Sequence, residues 1–156
     1  MGGVGRGHER DDRRPPGEQR FAWRLVRALD TNLVIRLLTA DDRAQHATAL
    51  ALLGRPVWLP ITVLIEAGSV LQSRYGFDRV TLTALFMALF DYPTINVQAD
   101  EHVRWALSRY AVAGDLADLL HIAGACAAEA DTFATFDPGI ARAAGSDTPL
   151  RVETLA

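Results

Sequence analysis

The sequence predicts an α/β domain, a three-layer α/β/α sandwich with a mostly parallel sheet of four to five strands. Three observations point there. Short runs of β type alternate with segments of helical period four or five times along the chain, the pattern of successive strand–helix–strand units with helices on both faces of a parallel sheet. The 156 residues, 49% of them hydrophobic and 22% charged, suffice for one sizeable core rather than two. No apolar run approaches the roughly 20 residues that cross a bilayer, and the N-terminus lacks the apolar stretch of a signal peptide, so a cytoplasmic protein without a membrane segment is expected.

Residues 1–20 hold five Gly, two Pro, five Arg and four acids with almost no strongly apolar side chain, and are expected to be a disordered tail before a domain spanning 21–156. Gly3, Gly5 and Gly7 have neither a strand before them nor a helix after them, so they do not form a phosphate-cradling loop. The first strand is expected over Arg24–Leu29, ending in Asp30. Leu33, Val34, Leu37 and Leu38 recur at helical spacing, with Thr39, Asp41 and Asp42 at the exit. A second helix, about Arg43–Leu53, ends at Gly54 with Pro56 beyond. Val57–Ile61 reads as a strand that Pro60 closes. Thr62–Tyr75 is helical up to Gly76, and Asp78 caps a helix running to about Phe90. Thr94–Val97 is a strand, 100–112 a helix, and Asp115 caps the alanine-rich helix that follows. Thr132–Thr135 is a strand, Ile140–Ala144 a short helix, and Leu150–Thr154 the strand that closes the sheet.

Sixteen Arg, no Lys and nineteen acids give a net charge of −3, so the overall field does not attract nucleic acid as a basic protein would. The absence of Lys also removes Schiff-base chemistry and leaves acid–base work to carboxylates. A single cysteine, Cys126, excludes an internal disulfide or a cysteine-rich zinc site and reads as a small buried apolar residue of a reducing compartment.

Ligands of such sheets bind at the carboxyl ends of the strands, which directs attention to the acids there. Asp30 follows the first strand and Asp137 the Thr132–Thr135 strand. Glu66 lies one turn into its helix, in a stripe with Thr62, Ser69 and Ser73, and Asp115 and Asp118 open the alanine-rich helix. Converging carboxylates are hard oxygen ligands suited to Mg²⁺ or Mn²⁺, ions that activate water and stabilise charge on a phosphodiester. Each acid also has a purely structural reading: Asp30 and Asp115 as helix caps, Glu66 as a solvated helix residue, Asp118 as a residue favoured by the helix dipole, and Asp137-Pro138-Gly139 as a turn. Spacing alone leaves both readings open.

Four segments, in order, resemble the motifs of PIN-domain proteins: Leu29-Asp30-Thr31-Asn32-Leu33-Val34-Ile35-Arg36-Leu37-Leu38, Pro60-Ile61-Thr62-Val63-Leu64-Ile65-Glu66, Gly114-Asp115-Leu116-Ala117-Asp118-Leu119-Leu120-His121 and Thr135-Phe136-Asp137. The resemblance covers about residues 24–150 and is nearest to VapC-type toxins of bacterial toxin–antitoxin pairs. It implies a Mg²⁺- or Mn²⁺-dependent endoribonuclease on a PIN-like α/β/α sandwich, usually a homodimer, inhibited by a cognate VapB-type antitoxin. Carried over by motif, Asp30, Glu66 and Asp118 are the core acids and Asp137 the fourth, all metal-holding and catalytic. Asn32 and Thr135 orient carboxylates, water or phosphate, and Asp115 caps its helix. The resemblance further implies in-line attack by metal-activated water on RNA, leaving a 5′-phosphate and a 3′-hydroxyl. Two departures stand out: Leu116 where an aromatic is common, and a longer N-terminal tail. A PIN nuclease of RNA maturation without toxicity and a non-catalytic binding module are the alternatives, the second disfavoured by the intact acidic set.

Arg36, Arg43, Arg74 and Arg142 are the loose candidates for phosphate contacts. His121, three residues past Asp118, reads as a structural helix histidine, and His8, His46 and His102 show no ligand pairing. Trp23, Trp58 and Trp105 lack an interleaved basic pattern and read as packing residues. Leu82–Phe90 is apolar nearly all round, which suits a buried helix or an interface.

Overall fold

The computed structural model describes residues 26–156. The expected tail, Trp23 and the start of the first strand therefore lie outside the described residues.

Aspartates set most of the helix starts, because a short carboxylate just ahead of a helix accepts from N–H groups that have no partner within it. Asp30 accepts from Leu33 N at 2.8 Å and opens α1 (Thr31–Thr39), which ends where Ala40 turns left-handed at φ 51°. Asp42, Asp78, Asp115 and Asp137 do the same for α2 (Arg43–Leu52), α4 (Arg79–Phe90), α6 (Leu116–Ala127) and α7 (Pro138–Ala144). Helix α3 (Ile61–Ser73) begins directly after Pro60, whose side chain caps nothing; the Ile61 amide donates instead to the Gln98 side chain at 3.0 Å. Helix α5 (Asp100–Val112) carries Asp100 and Glu101 in its first turn, where the helix dipole favours negative charge.

The strands β1 (Arg27–Ala28), β2 (Val57–Leu59), β3 (Ile95–Val97), β4 (Thr132–Thr135) and β5 (Arg151–Thr154) are short. Every pairing among them is parallel. Two groups form among the described residues: β1-β2-β3, with Arg27 opposite Val57 and Trp58 opposite Asn96, and β4-β5, with Thr132 opposite Arg151. The α/β class and the parallel arrangement are as the sequence predicts; the sheets are smaller, of three and two strands. Backbone bonds from Leu29 N to Trp58 O (2.8 Å) and from Gln98 N to Leu59 O (2.9 Å) carry the first ladder slightly past its strand ends.

The main core gathers Leu29, Val34, Leu59, Leu64, Leu71, Leu82, Phe86, Val103, Leu107, Leu119 and Leu120. A smaller cluster around Ile122, Ala144 and Leu150 lies under β4 and β5, and Trp105 packs against both. Burial of this kind is the dominant favourable term in folding. The apolar helix foreseen at Leu82–Phe90 spends its apolar face internally, with Leu82, Phe86, Leu89 and Phe90 buried.

Two glycines allow close approaches. A Cβ on Gly68 of α3 would lie 2.5 Å from Leu116 Cδ2, so the bare glycine leaves the space that the Leu116 side chain of α6 fills. Gly114, at φ 88°, occupies the left-handed region and brings the α5–α6 turn against Ala143 of α7. Among the described residues no helix is long and apolar enough to cross a membrane.

Candidate functional site

Parallel strands send their carboxyl ends to one edge of their sheet, and two of the acids singled out in the sequence stand just past such an end. Asp30 follows β1 and Asp137 follows β4. Glu66 sits on α3, beyond β2. Asp118 lies in the first turn of α6, which packs against α3 and α7.

Hydrogen bonds tie these acids to the scaffold. The hydroxyl of Thr31, the residue after Asp30, donates to Glu66 Oε2 at 2.6 Å, joining the start of α1 to α3 across 35 residues of sequence. Asp115 Oδ1 accepts from Ala117 N at 2.8 Å and from Asp118 N at 3.3 Å, so Asp115 acts as the cap and holds the backbone of its neighbour. Thr135 Oγ1 accepts from Asp137 N at 3.0 Å, and Asp137 Oδ1 in turn accepts from Gly139 N at 2.7 Å. Asn32 lines a cavity of about 320 Å³ between α1 and α2 with Asp30, Leu33, Arg36, Ala44, Gln45 and Thr48. A second cavity, about 450 Å³, opens between α3 and α6 and is lined by Ser69, Gln72, Ser73 and Asp115 among others.

The carboxyl of Asp118 is raised above the ordinary carboxylate range, first by partial burial, then by the negative charges of Asp115 and Asp137; His121 pulls the other way. His121 is itself exposed. Asp118 thus feels the charge of Asp137 across 19 residues of sequence.

Two associations stand out: Glu66 with Thr31, the residue after Asp30, and Asp118 with Asp115 and Asp137. Among the described residues no three His, Cys, Asp or Glu side chains stand close enough together to hold a metal ion. The donor chemistry nevertheless fits a hard divalent cation, since the acids and their Thr neighbours offer only oxygen and the repulsion at Asp118 is of the kind a cation relieves.

The arginines foreseen as phosphate contacts are not equivalent. Arg36 is engaged, its Nη1 on both oxygens of Asp41 at 2.8 and 2.9 Å and its Nε on Gln45 at 2.7 Å. Arg43, Arg74 and Arg142 are exposed.

Comparison with known protein families matches residues 27–146 to the PIN domain. The chain belongs to the PIN-domain family. No curated protein matches it significantly. PIN domains are a nuclease fold, typically dependent on divalent metal ions such as Mg²⁺, and the matched range contains Asp30, Glu66, Asp115, Asp118 and Asp137.

Two residues escaped the sequence reading of roles. Thr31 stands inside the first motif, which gives it no role; its reach to Glu66 follows from α1 packing on α3, which no local pattern shows. Phe136, beside Asp137, is 76% exposed, and an apolar residue between two polar ones gives no sign of facing solvent.

Proposed function

We propose that this PIN domain is a Mg²⁺- or Mn²⁺-dependent endoribonuclease that acts as the toxin of a toxin–antitoxin pair, cytoplasmic, homodimeric and inhibited by a VapB-type antitoxin. The observation that carries the nuclease reading is the 2.6 Å bond from Thr31 to Glu66, which ties one motif acid to the residue that follows another, Asp30, in a distant segment. Asp30, Glu66, Asp118 and Asp137 would hold the ion. When bound, Mg²⁺ or Mn²⁺ supplies activation of water and stabilisation of the charge that develops on the phosphodiester. The chain's own residues place the ligands: Thr31 orients Glu66, Thr135 fixes the backbone of Asp137, and Asp115 fixes that of Asp118. These contacts reduce the reorganisation needed when charge appears on substrate. The toxin role, dimer and antitoxin rest on the resemblance of the four motifs.

Induced expression in bacteria tests the toxin role. The wild-type chain alone is expected to arrest growth, and Asp30→Asn to relieve the arrest. Normal growth beside an active purified nuclease would favour the RNA-maturation reading instead.

A further inference from the structure

Phe136 is 76% exposed, the most exposed large hydrophobic residue described, and it stands between Thr135 and Asp137 at the acidic edge. It does no packing work: it belongs to neither hydrophobic cluster, although Phe133, three residues earlier, packs into the smaller one. Its backbone is nonetheless fixed on both sides, since Leu155 N donates to Thr135 O at 2.8 Å and Asp137 N to Thr135 Oγ1 at 3.0 Å. An apolar ring exposed to water on a pinned loop is pre-organised for a planar partner at little cost in ordering. The surroundings say which partner. The edge is acidic, the protein carries net charge −3 without a single Lys, and Arg36 is already paired with Asp41. Exposed Arg142 on α7 can meet a phosphate near this edge, whereas a neutral aromatic face binds a base without regard to charge or sequence.

We propose that Phe136 is a stacking platform for a nucleobase of single-stranded RNA beside the bond that is cut, a positioning residue rather than a catalytic one. This rests on the nuclease reading above. A stacked base holds the adjacent phosphodiester at the edge formed by Asp118 and Asp137, so the effect falls on KM more than on kcat.

The test compares wild type with Phe136→Ala, Phe136→Leu and Phe136→Trp in two assays at one stated salt concentration. One is binding of a single-stranded oligodeoxynucleotide in EDTA; the other is steady-state cleavage of single-stranded RNA with Mn²⁺. Ala and Leu are expected to weaken binding and raise KM about tenfold with kcat within about twofold, and Trp to restore both, because stacking needs the π face. Leu binding as well as Phe, or Ala leaving KM unchanged, overturns the platform. A change in oligomeric size for Phe136→Ala in light scattering assigns the ring to a contact between copies of the chain and overturns it too. Wild type that binds the oligonucleotide through Phe136 but cleaves no RNA defeats the nuclease reading and leaves the platform standing. Cleavage by wild type that is indifferent to all three variants does the reverse.

Discussion

Replacing Gly68 by Ala puts a methyl group into the contact between α3 and α6, 2.5 Å from Leu116 Cδ2. Glu66 lies two residues before Gly68 and Asp118 two residues after Leu116, so the contact that must give is close in the chain to two motif acids. An extra methyl in a packed core costs about 1–3 kcal/mol, and Ala in place of Gly inside a helix returns about 1 kcal/mol, for a net loss of about 0–2 kcal/mol. Leu116 is 3% exposed, and its truncation to Ala alone costs about 3 kcal/mol. In the double variant the new methyl enters the space that Leu116 has left, so the two changes together cost about 1–2 kcal/mol less than their sum. Equilibrium urea unfolding of the four proteins measures that difference. Metal-dependent RNA cleavage is expected to fall about tenfold in Gly68→Ala and to recover in part when Leu116→Ala is added. Additivity within about 0.5 kcal/mol would refute the close approach and the argument built on it.

Thr31→Val removes the 2.6 Å bond to Glu66 while keeping the shape of the side chain; kcat is expected to fall about tenfold with an unchanged circular dichroism spectrum, and Thr31→Ser to retain activity, whereas full activity in Thr31→Val would make the bond incidental. Asp41 is held below the ordinary carboxylate range, chiefly by the Tyr75 hydroxyl at 2.7 Å, with Thr39 and Arg36 adding to it. Because its folded value is the lower one, Asp41 contributes stability that is complete above the unfolded carboxylate pKa and is lost as pH falls through the folded value. Melting temperatures of Asp41→Asn are therefore expected to lie below wild type at neutral pH and to meet it in acid; parallel curves down to low pH would contradict this. Asp30→Asn and Asp118→Asn are expected to abolish cleavage with the fold intact, since Asn caps α1 as well as Asp does; retained metal-dependent activity in both would defeat the site assignment.

The parts of this fold that local chemistry decides were readable in the sequence. Asp78 and Asp115 announce their helices, Gly54 and Gly76 mark ends, and the alternation of strands with helices gives the parallel α/β class. Small displacements arose where a local signal admits two outcomes: Pro60 both closes β2 and precedes α3, so the helix starts at Ile61 rather than Thr62, and Pro138 at the first turn lengthens α7 backward from Ile140. The partition into β1-β2-β3 and β4-β5 depends on hydrogen bonds between distant segments and has no local signature. The same divide runs through the site. Motif and place in the chain single out Asp30, Glu66, Asp118 and Asp137 as candidates, but the Thr31–Glu66 bond, the capture of Arg36 by Asp41 and the exposure of Phe136 arise from packing between elements.

The nuclease reading meets its most direct test in the cleavage of single-stranded and structured RNA by the purified, partner-free protein in Mg²⁺, Mn²⁺ or EDTA, with Asp30→Asn alongside. Cleavage that needs the metal and disappears in Asp30→Asn is the predicted result. A folded sample that cuts no RNA and binds no Mn²⁺ would contradict it and leave a PIN-fold binding module in its place.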